Sequence, residues 1–176
     1  MLNKKVILTA FSLGAAGFGL WHCLEQYRKE VDTLRIRVEQ LENSRTKFDM
    51  YQKLYVALMK EYAKKQQGEY HSYIADRLKQ KEINSIILYG CGPVGKLFYD
   101  VMKDESVDIR AFIDNAPREK DYQGIPVYEL EHTEDLKKAD CILVTPVYLY
   151  GNILNDLYAS GRDEKILPVT SFVQMV

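Results

Sequence analysis

The sequence holds little that would make a covalently or metal-stapled scaffold. Only three cysteines occur, Cys23, Cys91 and Cys141. No two of them form a CxxC pair, which argues against a disulfide framework or a structural zinc site. The three histidines, His22, His71 and His132, are scattered and share no metal-ligand or triad spacing. Charge of one sign is also lacking, since 24 Lys+Arg against 25 Asp+Glu leave a net of -1. With 47% hydrophobic residues, that balance excludes a wholly disordered chain, a collagen and a nucleic-acid-binding tail, so no nucleic-acid partner is expected. Proline and glycine are absent from Glu25 to Gln66, leaving nothing to interrupt a helix there. The 176 residues allow one ordinary domain plus an extension, and not two full domains.

The near-zero charge hides a split. Residues 1–66 carry 12 Lys+Arg and 7 Asp+Glu, a net of +5, whereas residues 67–176 carry 12 and 18, a net of -6. Three segments are expected: a membrane anchor over 1–24, a helical stalk over 25–68 and an α/β domain over 69–176.

Val6 to Leu24 reads VILTAFSLGAAGFGLWHCL, without an ionisable Asp, Glu, Lys or Arg. Nineteen helical residues rise roughly 28 Å, close to the thickness of bilayer hydrocarbon. Trp21 stands near one end, as interfacial aromatics do. A cleaved signal would leave an apolar core of only Val6 to Phe11, so a retained membrane helix is the better reading. Lys4 and Lys5 precede it, while Arg28, Lys29, Arg35 and Arg37 follow. The basic excess on the C-terminal side predicts that the body of the protein is cytoplasmic.

Along the stalk, Leu24, Tyr27, Val31, Leu34, Val38 and Leu41 alternate at spacings of three and four, a heptad seam. Phe48, Tyr51, Tyr55, Leu58 and Tyr62 make a second, offset seam, with Asn43-Ser44 near the offset. Association with a second copy, or an antiparallel helix pair turning back at Asn43, would cover such a stripe. A homo-oligomer through the stalk is the partner expected.

The remainder alternates strand and helix patterns, which implies a parallel sheet. After a lead-in helix over Tyr70–Lys81, the run Asn84–Tyr89 reads as a buried strand. Gly90-Cys91-Gly92-Pro93-Val94-Gly95 follows at once, then an amphipathic helix over Lys96–Lys103 and a second strand from Asp108, ending in Asp114. In that order the glycines have distinct tasks: Gly90 for the tight turn, Gly92 for close approach of a phosphate, Gly95 for helix–sheet packing. Pro93 suits the first helical turn, where its missing N–H is no loss. The free amides and helix dipole favour an anion. Asp114, nineteen residues past Gly95, stands where a carboxylate can accept hydrogen bonds from ribose hydroxyls. Further on, Pro126–Tyr128 reads as a strand after a turn at Gly124, Glu129–Lys138 as a helix, Ala139–Thr145 as a buried strand, Pro146 to about Ser160 as a helix closed by Gly161, and Lys165–Leu167 as a last strand. The expected fold is α/β: a Rossmann-like parallel sheet with helices on both faces, preceded by an N-terminal transmembrane helix and a long coiled-coil-like helix. The expected nucleotide site comprises Gly90, Cys91, Gly92, Pro93, Val94, Gly95 and Lys96, with Asp114, Asn115, Thr145 and Pro146 at neighbouring strand ends. Asp114 would repel a 2′-phosphate, favouring NAD or a UDP-sugar over NADP. Cys91 is expected to be a spacer at a position that lowers a thiol pKa, and Cys141 a core residue.

The strings YGCGPVGK, AFIDNAP, YQGIPVYELE and DCILVTP resemble the N-terminal nucleotide-sugar-binding domain of bacterial sugar acetyltransferases. They are also similar to the Rossmann region of membrane-anchored nucleotide-sugar epimerases and dehydratases. The resemblance covers Ile83 to Leu157. It implies a nucleotide held by Gly90, Gly92, Gly95 and Asp114, and a place beside partner enzymes of surface-glycan assembly. The acetyl-transfer domain of the one group and a Tyr-x-x-x-Lys pair of the other are not expected in the α/β domain, so no catalytic set is assigned. A binding module tethered to a membrane is the leading expectation, ahead of an enzyme completed by a partner chain or a scaffold with a vestigial nucleotide fold.

Overall fold

A buried five-residue strand organises the α/β unit. β1 (Ser85–Tyr89) is covered on both faces along its whole length, as its unbroken apolar run requires. The computed structural model describes residues 4–68 and 72–175, with side chains from residue 25 onward. Contacts divide the chain into two units, Met1–Thr46 and Lys47–Val176.

Both units share the first element, α1 (Lys4–Gln66), which passes Asn43-Ser44 without a break. Among the described residues no helix is long and apolar enough to cross a membrane. The anchor expected over residues 6–24 concerns side chains outside the described residues.

In the second unit the elements run α2 (Tyr73–Gln80), β1, α3 (Pro93–Met102), β2 (Asp108–Asp114), β3 (Asp121–Tyr122), β4 (Ile125–Glu129), β5 (Cys141–Val144), α4 (Tyr150–Ala159) and β6 (Lys165–Pro168). They form one six-stranded sheet in the order β3-β4-β2-β1-β5-β6. β1 pairs in parallel with β2 on one side and β5 on the other. β4 and β6 add parallel strands outside them. The chain thus leaves β1 towards β2 and later returns on the other flank, a reversal that opens a crevice at the carboxyl ends of β1 and β5.

The wholly parallel sheet expected from the pattern needs one correction, because β3 pairs antiparallel with β4. Gln123 (φ 52) and Gly124 (φ 84) make the two-residue turn between them. Two left-handed residues in succession match the twist of a hairpin. The turn at Gly124 was legible, but two residues of strand are too short for a periodic signal.

Alternate side chains of β1 serve the two faces. Ile86 and Leu88 join one cluster with Phe98 and Met102 of α3, Ile74 and Leu78 of α2, and Leu54 and Leu58 from the last turns of α1. Ile87 and Tyr89 join the other, with Ile153 and Leu157 of α4 and Leu136. Helices therefore cover both faces, as expected.

The helix expected over Glu129–Lys138 is absent. Leu130–His132 makes one 3-10 turn, and the Leu136 amide closes a separate turn onto Thr133 O at 3.1 Å. Buried Arg162 donates to the carbonyls of Thr133 and Leu136 at 3.2 and 3.0 Å, so an outside donor holds carbonyls that a helix would have used itself. Arg162 is in turn paired with buried Glu164. The helix expected from Pro146 begins as a 3-10 turn over Val147–Leu149 and becomes α4 only at Tyr150.

Candidate functional site

The parallel register sets what meets at the carboxyl end of the sheet. Tyr89 lies beside Ile113 on one flank and Val144 on the other, so the residues that follow these three converge. Gly90, Asp114 and Thr145 are brought together from segments far apart in the chain.

Gly90 takes φ +98, a left-handed conformation that strains any side-chain-bearing residue. A Cβ there would stand 2.7 Å from Thr145 Oγ1 and 3.0 Å from Pro146 Cδ. Its amide donates to Ile113 O at 2.7 Å, tying the loop to β2. Gly95 is tighter still, since a Cβ would meet Gly90 O at 2.0 Å. These two glycines are required by the chain's own packing. Gly92 differs. It caps the N-terminus of α3 with an ordinary φ of -84, and a Cβ would meet nothing within 4 Å. Pro93 follows at the first helical position, as expected. Gly92 and Pro93 are exposed, while Val94 and Gly95 turn inward.

Asp114 faces this loop. Its Oδ2 accepts from the Cys91 amide at 2.8 Å, and its Oδ1 accepts from the Ala116 amide at 3.0 Å. A carboxylate offers about four lone-pair directions, so each oxygen keeps one for a hydroxyl. Asn115 accepts from the Tyr89 hydroxyl, whose pKa is pushed up to about 12, first by burial and then by the charges of Asp156 and Asp114.

Three expected contributors serve the protein instead. Thr145 is buried, and its hydroxyl donates to Tyr89 O at 2.9 Å, bracing the end of β1. Pro146 packs its ring against the space above Gly90. Lys96 is paired with Glu119, and its ammonium stands 4.9 Å over the Tyr122 ring. Glu119 also accepts from the Cys91 thiol at 3.5 Å. Its carboxyl is held below the usual range, chiefly by the Lys96 hydrogen bond. Sequence spacing offered no signal for Glu119.

The thiol expectation reverses. Cys91 lies beside a helix N-terminus, yet its pKa is pushed up to about 12, first by burial and then by the bond to Glu119. It is no poised nucleophile, consistent with a spacer. Cys141 is fully buried in β5 and its thiol is likewise pushed up to about 12 by burial. Among the described residues no group of three or more His, Cys, Asp or Glu is placed to hold a metal.

A Tyr-x-x-x-Lys string does occur in the domain, at Tyr99–Lys103, contrary to the sequence reading. It lies at the C-terminal end of α3, away from the loop at its N-terminus. Tyr99 is buried among Phe112 and Tyr122, and Lys103 is bonded to Gln123. This placement does not present the pair at the crevice.

No family model matches the chain, and no curated protein matches it. Among solved structures, that of RSP, a Rex-family repressor, matches with 16% identity and a TM-score of 0.40. The match covers 53% of this chain and 56% of that one, so the chain spans about half the length of that protein. The resemblance to sugar acetyltransferases and nucleotide-sugar epimerases is thereby corrected, since neither comparison by sequence returns such a relative. Glycine-loop strings of this kind follow from the geometry of the turn, which unrelated chains share.

Proposed function

We propose that the α/β unit binds the diphosphate of a nucleotide cofactor where β1 gives way to α3, with NAD the nucleotide it suits best. The observation that carries the reading is Gly92. Neither its backbone conformation nor its surroundings demand a glycine, in contrast to Gly90 and Gly95. Its missing side chain leaves open space over the amides at the start of α3, which a phosphate would fill. Asp114, within hydrogen-bond reach of the same loop, supplies an acceptor for ribose hydroxyls and a charge that opposes a 2′-phosphate. In this reading the apolar run over residues 6–24 holds the unit at the cytoplasmic face of a membrane.

Titration of the full chain with NAD and NADP, followed by calorimetry, tests it. Saturable NAD binding is expected, weaker for NADP. Gly92→Val should weaken NAD binding at least tenfold while lowering the melting temperature by only a few degrees, because the added Cβ meets nothing within 4 Å and the loss is confined to the helix cap. Equal affinity of variant and parent, or no binding at millimolar NAD, overturns the reading.

One observation favours a second reading, a scaffold whose crevice takes no ligand. Asp114 and Lys96 already have partners inside the chain, so the loop is satisfied without a nucleotide. Absence of binding in the same titration, with an unchanged fold, selects it.

A further inference from the structure

The first unit presents an apolar stripe that its own chain does not cover. Tyr27, Val31, Leu34, Val38 and Leu41 are each between 50% and 70% exposed. Lower in the same helix, Leu54 and Leu58 are completely buried, packed in the core of the α/β unit. Of the second seam, Tyr51, Leu58 and Tyr62 pack on that core while Phe48 and Tyr55 stay exposed; of the first seam, no described residue is buried.

We infer that the stripe from Tyr27 to Leu41 is the seam of a parallel, two-stranded coiled coil with a second copy of this chain. The residue types select the partner. Spacing places Leu24, Val31 and Val38 at one core position of the heptad, and Tyr27, Leu34 and Leu41 at the other. Val31 and Val38 at the first position with Leu34 and Leu41 at the second favour two parallel strands over three or four, Leu24 and Tyr27 departing from that pattern in the first heptad.

Charge complementarity points the same way. Beside this seam the charged flanking positions are Glu30 and Arg37 on one side and Arg28, Arg35 and Glu42 on the other, Arg28 facing the uncharged Cys23 and the remaining four facing one another. In a parallel pair in register, each flanking residue of the first kind faces the second copy's residue five positions on. Glu30 then faces Arg35, and Arg37 faces Glu42, so all four contacts join opposite charges. Among the described residues none of these four side chains takes part in an ion pair within its own chain, and all are exposed.

The test uses the full chain, in detergent matched to the solvent density where detergent is needed. Sedimentation equilibrium should give a protein mass twice the 20.4 kDa of one chain. Arg35→Glu with Arg37→Glu turns all four flanking contacts into like charges and should raise the dissociation constant at least tenfold. Adding Glu30→Arg and Glu42→Arg to that variant restores opposite charges and should restore the dimer. Leu34→Cys should give a covalent dimer on mild oxidation beyond the wild-type background, because this position meets its own copy only in parallel strands. Melting of the α/β unit should be unchanged throughout, since these residues belong to the first unit. A mass of one, three or four chains overturns the inference. So does a dimer indifferent to the charge reversals, or one that Leu34→Cys fails to cross-link.

Discussion

At the residue scale, glycines in one short loop stand in opposite surroundings, crowded at Gly90 and Gly95 and open at Gly92. Gly95 is a contact glycine: a methyl group would lie 2.0 Å from the Gly90 carbonyl oxygen, and backbone cannot step aside as a flexible side chain can. Gly95→Ala should therefore lower unfolding stability by about 3 kcal/mol, read from the denaturant midpoint. Asp140 shows how a short polar side chain joins two strands. Its Oδ2 accepts from the amides of Asn84 and Ser85 at 2.9 and 2.8 Å, and these bonds, Asn84's first, hold its carboxyl below the usual range. A folded pKa below the unfolded one contributes stability that is complete above the ordinary carboxylate range and lost as pH falls through the folded value. Denaturation measured from neutral to acid should show the wild type converging on Asp140→Asn as the carboxyl protonates. A gap that stays constant with pH would refute the assignment.

At the element scale, helix endings repay close inspection. α2 and α4 stop in the same way. After α4, Gly161 (φ +80) donates to Tyr158 O and Arg162 donates back to Leu157 O. After α2, Glu82 donates to Lys79 O and Ile83 donates back to Leu78 O. This is the paired ending that usually places glycine at its left-handed residue. Glu82 occupies that position with φ 60. Relief of its strain, partly offset by the greater freedom glycine gives the unfolded chain, should make Glu82→Gly more stable by about 0.5 kcal/mol in thermal melts. The ending at Gly161 was legible because glycine announces it, whereas the ending at Glu82 was not, because the turn is imposed by Leu78 and Ile83 burying together. The same logic explains the other elements. β1 and β5 are near-continuous apolar runs and were readable as buried strands, and β2, with Asp108 and Arg110 exposed, was readable as a strand ending in Asp114. The segment after β4 carries helix-forming residues, yet Arg162, nearly thirty residues on, claims its carbonyls. Similarly, the glycine loop and Asp114 could be found by spacing, while Glu119 joins Lys96 and Cys91 through tertiary placement alone.

At the scale of the whole molecule, the packing of the α/β unit reaches back into the end of α1. The expected domain starts at residue 69, but the contact unit starts at Lys47, and Leu54 and Leu58 fill one of the two cores beside Ile74 and Phe98. Leu58→Ala should destabilise the α/β unit by about 2–5 kcal/mol, as for a fully buried leucine, measured by chemical denaturation of the full chain. An unchanged midpoint would show that these turns are not part of its core. Excision at Tyr70 would remove both leucines and expose the apolar faces of α2 and α3.

The margins of the sheet have a consequence for crowding. One rim is β3, two residues long and fastened by a tight hairpin turn; the other is β6, four residues ending in Pro168. Neither rim is long enough for a stranger's strand to zip onto, and proline withholds one of the few amides on offer. Chains held close together, at high local density, are thereby kept from fusing edge to edge into larger sheets.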